Sequence, residues 1–182
     1  QIRIWSAGCS TGQEAYSIAM TLRELIPDVD AWDIEILATD VSDAAIGQAS
    51  RGWYAKHEIE RGLSDDVLSK YFVAAENGWQ VRDELRKMVY YQQQNLLKPF
   101  SSTKTFDIIF CRNVAIYFTS EHRRQLFGKL REVLRPNGYL FVGSSESPSD
   151  LERHFVAEHH CRAVYYRHQH EIGAGNRPVA AS

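Results

Sequence analysis

Ile2-Arg3-Ile4-Trp5-Ser6-Ala7-Gly8-Cys9-Ser10-Thr11-Gly12-Gln13-Glu14 is the stretch whose reading decides the fold. Ile2 and Ile4 share one face of a β-type run, which meets a turn of small residues. Thr11 and Glu14 have capping-box spacing, each satisfying the other's orphan amide, and open a helix. Strand, tight glycine turn and helix make the first unit of a Rossmann-like sheet, with the turn at the carboxyl edge where ligands sit. Gly8 and Gly12 let the backbone approach a ligand closely. The spacing is neither Gly-x-Gly-x-x-Gly nor a P-loop, because no Gly-Lys-Ser/Thr follows.

Outward from this unit the chain continues the α/β rhythm. Ala15, Ile18, Ala19, Leu22, Leu25 and Ile26 fall on one face of a helix closed by Pro27. Ile34 to Asp40 reads as a second strand ending in a carboxylate. Ser42 caps a helix through Asp43 to Arg51, and Gly52 fits its C-terminal end. From Trp53 to Lys87 the rhythm breaks. A Ser64-capped helix reaches Tyr71, and Asn77-Gly78 signals a hairpin within an inserted antiparallel subdomain, which reads equally as a unit for contacting a partner or as a decorative insertion. Strands then follow at Met88 to Gln92, Phe106 to Cys111 and Tyr139 to Gly143. A helix from Ser120 to Leu134 buries Leu126, Phe127, Leu130, Val133 and Leu134, and Arg135-Pro136-Asn137-Gly138 turns the chain. Phe155-Val156 and Ala163 to Tyr166 suggest a final strand pair, and residues 168–182 read as a flexible tail or linker. The chain begins almost inside its first strand, so further residues are expected upstream.

The composition excludes several classes. A chain of 182 residues, 44% hydrophobic and 24% charged, suits one soluble domain. Its formal net charge of -2 gives no electrostatic reason to expect nucleic acid or an anionic membrane. No apolar run is long enough to span a bilayer. Cys9, Cys111 and Cys161 form no Cys-x-x-Cys pair, which fits a reduced, cytoplasmic setting. His159-His160-Cys161 lacks the spacing of a zinc site, so no metal is expected.

Candidate chemistry collects at strand ends. Asp40 lies beside the Gly8 to Gly12 turn, where a carboxylate accepts hydrogen bonds from vicinal ribose hydroxyls. Asn95-Leu96 and Arg112-Asn113 end two further strands at the same edge, and Asn offers both donors and acceptors to an adenine edge or an amino-acid headgroup. Arg82, Arg86 and Lys87, interleaved with Asp83 and Glu84, read as a solvated helical turn.

The stretches Trp5 to Ser17, Ala38-Thr39-Asp40, Phe110-Cys111-Arg112-Asn113-Val114-Ala115-Ile116-Tyr117-Phe118 and Gly143-Ser144-Ser145-Glu146-Ser147 occur in that order. Together they resemble the chemotaxis receptor methyltransferases of the CheR type, from Ile2 to about Arg167. The resemblance implies a seven-strand Rossmann-like methyltransferase sheet with helices on both faces and a small inserted antiparallel β-hairpin subdomain. It implies transfer of a methyl group from S-adenosylmethionine to glutamate side chains on the cytoplasmic helices of a chemoreceptor. Glu14, Asp40, Asn95, Leu96, Arg112 and Asn113 match its cofactor contacts, with Ala7, Gly8 and Gly12 in the same turn. Tyr117 matches the tyrosine facing the transferring methyl, and the hairpin matches a receptor-docking subdomain. The family's helical N-terminal domain is absent from this sequence, so weak cofactor binding and inactivity are expected of this stretch alone. The short hairpin lacks the glycine-rich loop associated with grasping a receptor tether, so tether binding is not expected. A non-catalytic S-adenosylmethionine-binding scaffold is the alternative. An amino-group DNA methyltransferase lacks its Asp/Asn-Pro-Pro-Tyr/Phe signature here, and a dehydrogenase lacks its glycine spacing.

Overall fold

A computed structural model of the chain describes residues 1–59, 62–100, 104–146, 148–161 and 163–169. The elements in order are β1 (Ile2–Ala7), α1 (Gln13–Leu25), β2 (Ile34–Asp40), α2 (Asp43–Arg51), β3 (Trp53–Ala55), α3 (Lys56–Ile59), α4 (Asp65–Tyr71), β4 (Phe72–Ala75) and β5 (Gly78–Val81). There follow α5 (Asp83–Arg86), β6 (Val89–Gln93), β7 (Phe106–Cys111), α6 (Ser120–Val133), β8 (Leu134–Val142), α7 (Pro148–Leu151), β9 (Phe155–His160) and β10 (Ala163–His168). Short 3-10 turns occupy Val29–Ala31 and Ala115–Tyr117.

Seven strands form one sheet in the order β6-β2-β1-β7-β8-β10-β9. Strands β6, β2, β1, β7 and β8 pair in parallel, and β10 is antiparallel to both β8 and β9. The chain leaves β1 toward β2 and β6, then returns to place β7 on the other side of β1. The carboxyl ends of β1 and β7 therefore flank the switch point at which open α/β sheets leave a crevice.

Alternation along the strands divides the core. Ile4, Ile36 and Ala38 point to the layer containing Ala15, Tyr16 and Ala19 of α1. Trp5, Leu37, Ile109 and Cys111 point to the opposite layer, built on Leu126, Phe127 and Leu130 of α6. The expected seven-strand Rossmann-like sheet with helices on both faces is thus present, with the inserted strands as a separate small sheet.

That sheet has three strands, in the order β3-β5-β4. The Tyr54 hydroxyl donates to the Thr11 carbonyl at 2.7 Å, and the Tyr71 hydroxyl donates to Glu24 at 2.6 Å, fixing the insert against α1. Ala75 pairs with Gly78 across the hairpin, so Glu76-Asn77 rather than Asn77-Gly78 makes the turn. Asn77 takes the left-handed conformation, at φ 58°.

Other local expectations change too. The capping box is absent: α1 starts after a left-handed Gly12 with no side-chain cap. Thr11 donates instead to Gln13 Oε1 at 2.8 Å, while Glu14 accepts from the Ser6 hydroxyl at 2.7 Å. Leu25, expected inside, is 73% exposed, because it lines an open cavity with Ile18, Leu22, Ile108 and Phe110. The helix stops just before Arg135–Gly138, but that run is not a separate turn ahead of the strand. It is carried within β8 as an irregularity, since Phe106 pairs with Leu134 and Ile108 with Tyr139. The tail starts later than the sequence suggests, since His168 ends β10 paired with Phe155, and residues 170–182 lie outside the described residues.

Candidate functional site

The first turn is built by the strand beside it. Gly8 and Cys9 both donate their backbone N–H groups to the Thr39 carbonyl at 2.8 Å, drawing the turn over the end of β2. Thr39 is itself fixed because its hydroxyl accepts from the Trp5 indole at 2.9 Å. Asp40 completes the link: Oδ2 accepts from Ser10 N and Oδ1 from Ser42 N, each at 2.9 Å. One carboxylate thus anchors the left-handed Ser10, at φ 49°, and the entry to α2. Each oxygen keeps further acceptor capacity.

A cavity of about 530 Å³ opens at this edge, lined by Gly8, Ser10, Asp40, Val41, Gln94, Asn95, Leu96, Leu97, Asn113, Val114, Tyr117 and Phe118. It brings together six of the residues singled out in the sequence: Gly8, Asp40, Asn95, Leu96, Asn113 and Tyr117. Asn95 Oδ1 accepts from Leu97 N at 2.8 Å, which orients the amide and leaves its Nδ2 for another acceptor. Asn113 is left-handed, at φ 59°, and starts the turn that carries Tyr117 on the 3-10 segment. Tyr117 is 81% exposed at the mouth of the cavity.

Glu14 and Arg112 line a second cavity, of about 370 Å³, with Ile4, Ile18, Leu22 and Phe110. Arg112 Nη1 lies 3.4 Å from Glu14 Oε2, so the two form an ion pair across the ends of β7 and α1. Ala7 is buried in the core beneath the turn. Gly12 faces protein: a Cβ there would stand 2.8 Å from Ala49 Cβ and 3.0 Å from the Tyr91 hydroxyl. Burial raises the Tyr16, Tyr54 and Tyr91 phenols around it, keeping them neutral. Burial and then Asp40 push the Cys9 thiol up to about 12, so it is no nucleophile.

Sequence reasoning passed over Ser10, Val41, Gln94, Leu97, Val114 and Phe118. One signal was available for Val41: an apolar side chain directly after a strand-ending carboxylate, here 61% exposed. Leu97, Val114 and Phe118 reach the cavity only through the turns that carry them. Among the described residues no group of three or more His, Cys, Asp or Glu could hold a metal ion. No helix among them is long and apolar enough to cross a membrane.

A sheet of this order, with its crevice between β1 and β7, is the fold of Rossmann-like methyltransferases. A TehB-like SAM-dependent methyltransferase from Corynebacterium glutamicum superposes with a TM-score of 0.56 at 12% identity, over 92% of this chain and 80% of that one. Residues 1–163 match the family model for the CheR methyltransferase, SAM binding domain, and the chain belongs to that family. It is 38% identical over 172 residues to chemotaxis protein methyltransferase 1 of Pseudomonas aeruginosa, covering 92% of this chain and 62% of that protein. It is 41% identical over 150 residues to the chemotaxis protein methyltransferase of Borreliella burgdorferi, covering 81% of this chain and 53% of that protein. The chain therefore spans little more than half the length of these relatives. S-adenosylmethionine is the cofactor of this domain family. The cavity suits it chemically, with a carboxylate for hydroxyls, an amide for a base edge and apolar walls.

Proposed function

We propose that the protein transfers a methyl group from S-adenosylmethionine to glutamate side chains of a chemoreceptor's cytoplasmic region. The observation that carries this reading is the cavity in which Asp40, Asn95, Leu96, Asn113 and Tyr117 converge at the switch point. The relatives named as chemotaxis methyltransferases support the substrate class.

The cofactor supplies an electrophilic methyl on a sulfonium, a good leaving group. Asp40 accepts from the ribose hydroxyls, and Asn95 and Leu96 receive the base. Glu14 holds the amino group and Arg112 the carboxylate of the amino-acid end. A glutamate side chain is ionised at neutral pH, so the site needs no strong general base. Tyr117, exposed at the mouth, orients the attacking carboxylate oxygen, and the rate comes from alignment. The three-stranded sheet, whose Trp53 and Val73 are exposed, is the receptor-docking surface. The reaction belongs in the cytoplasm, where these receptor helices lie.

Calorimetry with S-adenosylhomocysteine and methyl transfer to a receptor cytoplasmic fragment test this. Asp40→Ala is expected to weaken product binding by about 100-fold, two charge-assisted hydrogen bonds' worth. Tyr117→Phe is expected to slow transfer while leaving product affinity within about twofold of wild type, because its hydroxyl faces substrate. Tight product binding with no transfer to any receptor glutamate would favour a non-catalytic sensor.

A further inference from the structure

The Gly143 to Ser147 motif has no part in the binding scheme above, yet it contains a buried carboxylate at the edge of the site. Glu146 is 4% exposed. Its Oε1 accepts from Val114 N at 3.1 Å, and its Oε2 is buried without a hydrogen-bond partner. The backbone folds to deliver it there, because Glu146 N donates to the Gly143 carbonyl at 3.2 Å.

Val114 is the residue from which the Tyr117-bearing turn departs: its carbonyl accepts from Tyr117 N at 3.2 Å. The N–H groups at the start of such a turn have no partner within it. Glu146 supplies one from a different strand connection. Gly143 supplies the space, since a Cβ there would collide with Glu146 Oε2 and Asn113 Oδ1 and would stand 3.0 Å from Asn113 N. The side chains of Asn113 and Glu146 therefore converge on one point. An unmatched buried carboxylate oxygen is costly. An Asn amide can be turned over within the same volume, exchanging its oxygen for a donor.

We propose that Glu146 is a positioning residue. Its Oε1 fixes Val114 and its Oε2 takes the Asn113 Nδ2–H, locking the Asn113–Tyr117 turn against the end of β8. This rests on the substrate role proposed above for Tyr117 and on the place of Asn113 in the wall of the cofactor cavity. The carboxylate touches neither partner of the reaction. It acts through Asn113, whose left-handed backbone is uncommon for a residue with a side chain, although Asn adopts it more readily than most.

The test uses the full chain with Glu146→Ala, Glu146→Gln, Asn113→Ala and the double alanine variant. Leu85→Ala, in the opposite core layer, serves as a stability control. Two readouts are taken: hydrogen exchange at the Val114 amide without ligand, and S-adenosylhomocysteine affinity by calorimetry. Glu146→Ala is expected to speed Val114 exchange and to weaken product binding by about tenfold each, one charge-assisted hydrogen bond's worth. Glu146→Gln is expected to restore both to within about threefold, because its amide oxygen still receives Val114 N–H and Asn113 can turn to accept from its nitrogen. The double variant is expected to bind no worse than the weaker single one, and Leu85→Ala to bind as wild type while melting earlier. Wild-type exchange and affinity in Glu146→Ala would overturn the proposal, as would losses that multiply in the double variant. Failure of the wild-type protein to bind product would instead overturn the cofactor reading, and Val114 exchange would still decide whether Glu146 holds the turn.

Discussion

At the scale of single residues, the glycines of the first turn serve packing. Gly8 sits at φ 82°, and a Cβ there would collide with Val114 Cγ2. Gly8→Ala therefore meets two penalties, a left-handed backbone and a steric clash with the turn that carries Tyr117. The expected loss is about 2–3 kcal/mol by urea unfolding, combining about 1–2 kcal/mol of backbone strain with overpacking. Adding Val114→Ala should recover the overpacking part alone. That Asp40 lies at the carboxyl edge beside the first turn was legible in the sequence, because it ends a strand next to the glycine turn. The double backbone anchoring by its two oxygens was not legible, since it depends on how the Ser10 turn bends back. Glu14 shows the same limit. Its capping-box spacing is local, but the Ser6 hydroxyl and Arg112 are nearer competitors only once β1 and β7 are side by side.

At the scale of elements, boundaries fixed by local chemistry were readable and those fixed by long-range pairing were not. The α2 helix has the limits its sequence implies, with the Ser42 hydroxyl accepting from Ala45 N at 3.2 Å and a left-handed Gly52 closing it. Ser42→Ala should cost about 1 kcal/mol in urea unfolding, as loss of an N-cap does. The Arg135–Gly138 run reads locally as a turn, but pairing with β7 absorbs it into β8. Between α7 and β9, His154 donates its backbone N–H to the Leu151 carbonyl and its carbonyl accepts from Gln169 N. Burial, with Arg131 and Arg153 nearby, holds the imidazole below its usual value of 6.5. The unfolded chain therefore binds a proton at higher pH than the folded one. Stability is full above about 6.5 and declines as pH falls through the lower folded value. Thermal melts from pH 7.5 to 5.5 should show this decline, and His154→Gln should flatten that part of it.

At the scale of the whole molecule, one sheet joins two core layers, and neither can persist without it. Leu130 of α6 and Leu85 of α5 are both fully buried, on opposite faces of the sheet. Trp5 belongs to the α6 side, packed edge-on to Phe100 at 5.0 Å, yet its strand neighbour Ile4 belongs to the α1 side. A strand whose alternate residues serve both layers transmits the loss of either. Truncating Leu130 or Leu85 to Ala should therefore each cost about 2–5 kcal/mol, the range for a buried Leu that leaves a cavity. The two variants should give coincident denaturant transitions by near-ultraviolet and far-ultraviolet circular dichroism, at shifted midpoints with similar slopes. Separate transitions would mean that the insert-side layer, tied to α1 by Tyr54 and Tyr71, melts on its own. In that case the three-stranded sheet could loosen while the Asp40 edge stayed formed, and, on the docking role proposed for that sheet, receptor binding would be lost at lower denaturant than S-adenosylhomocysteine binding. A single transition requires both to be lost together, because the turn at Thr11 is held by Tyr54 from one side and by Thr39 through Gly8 and Cys9 from the other.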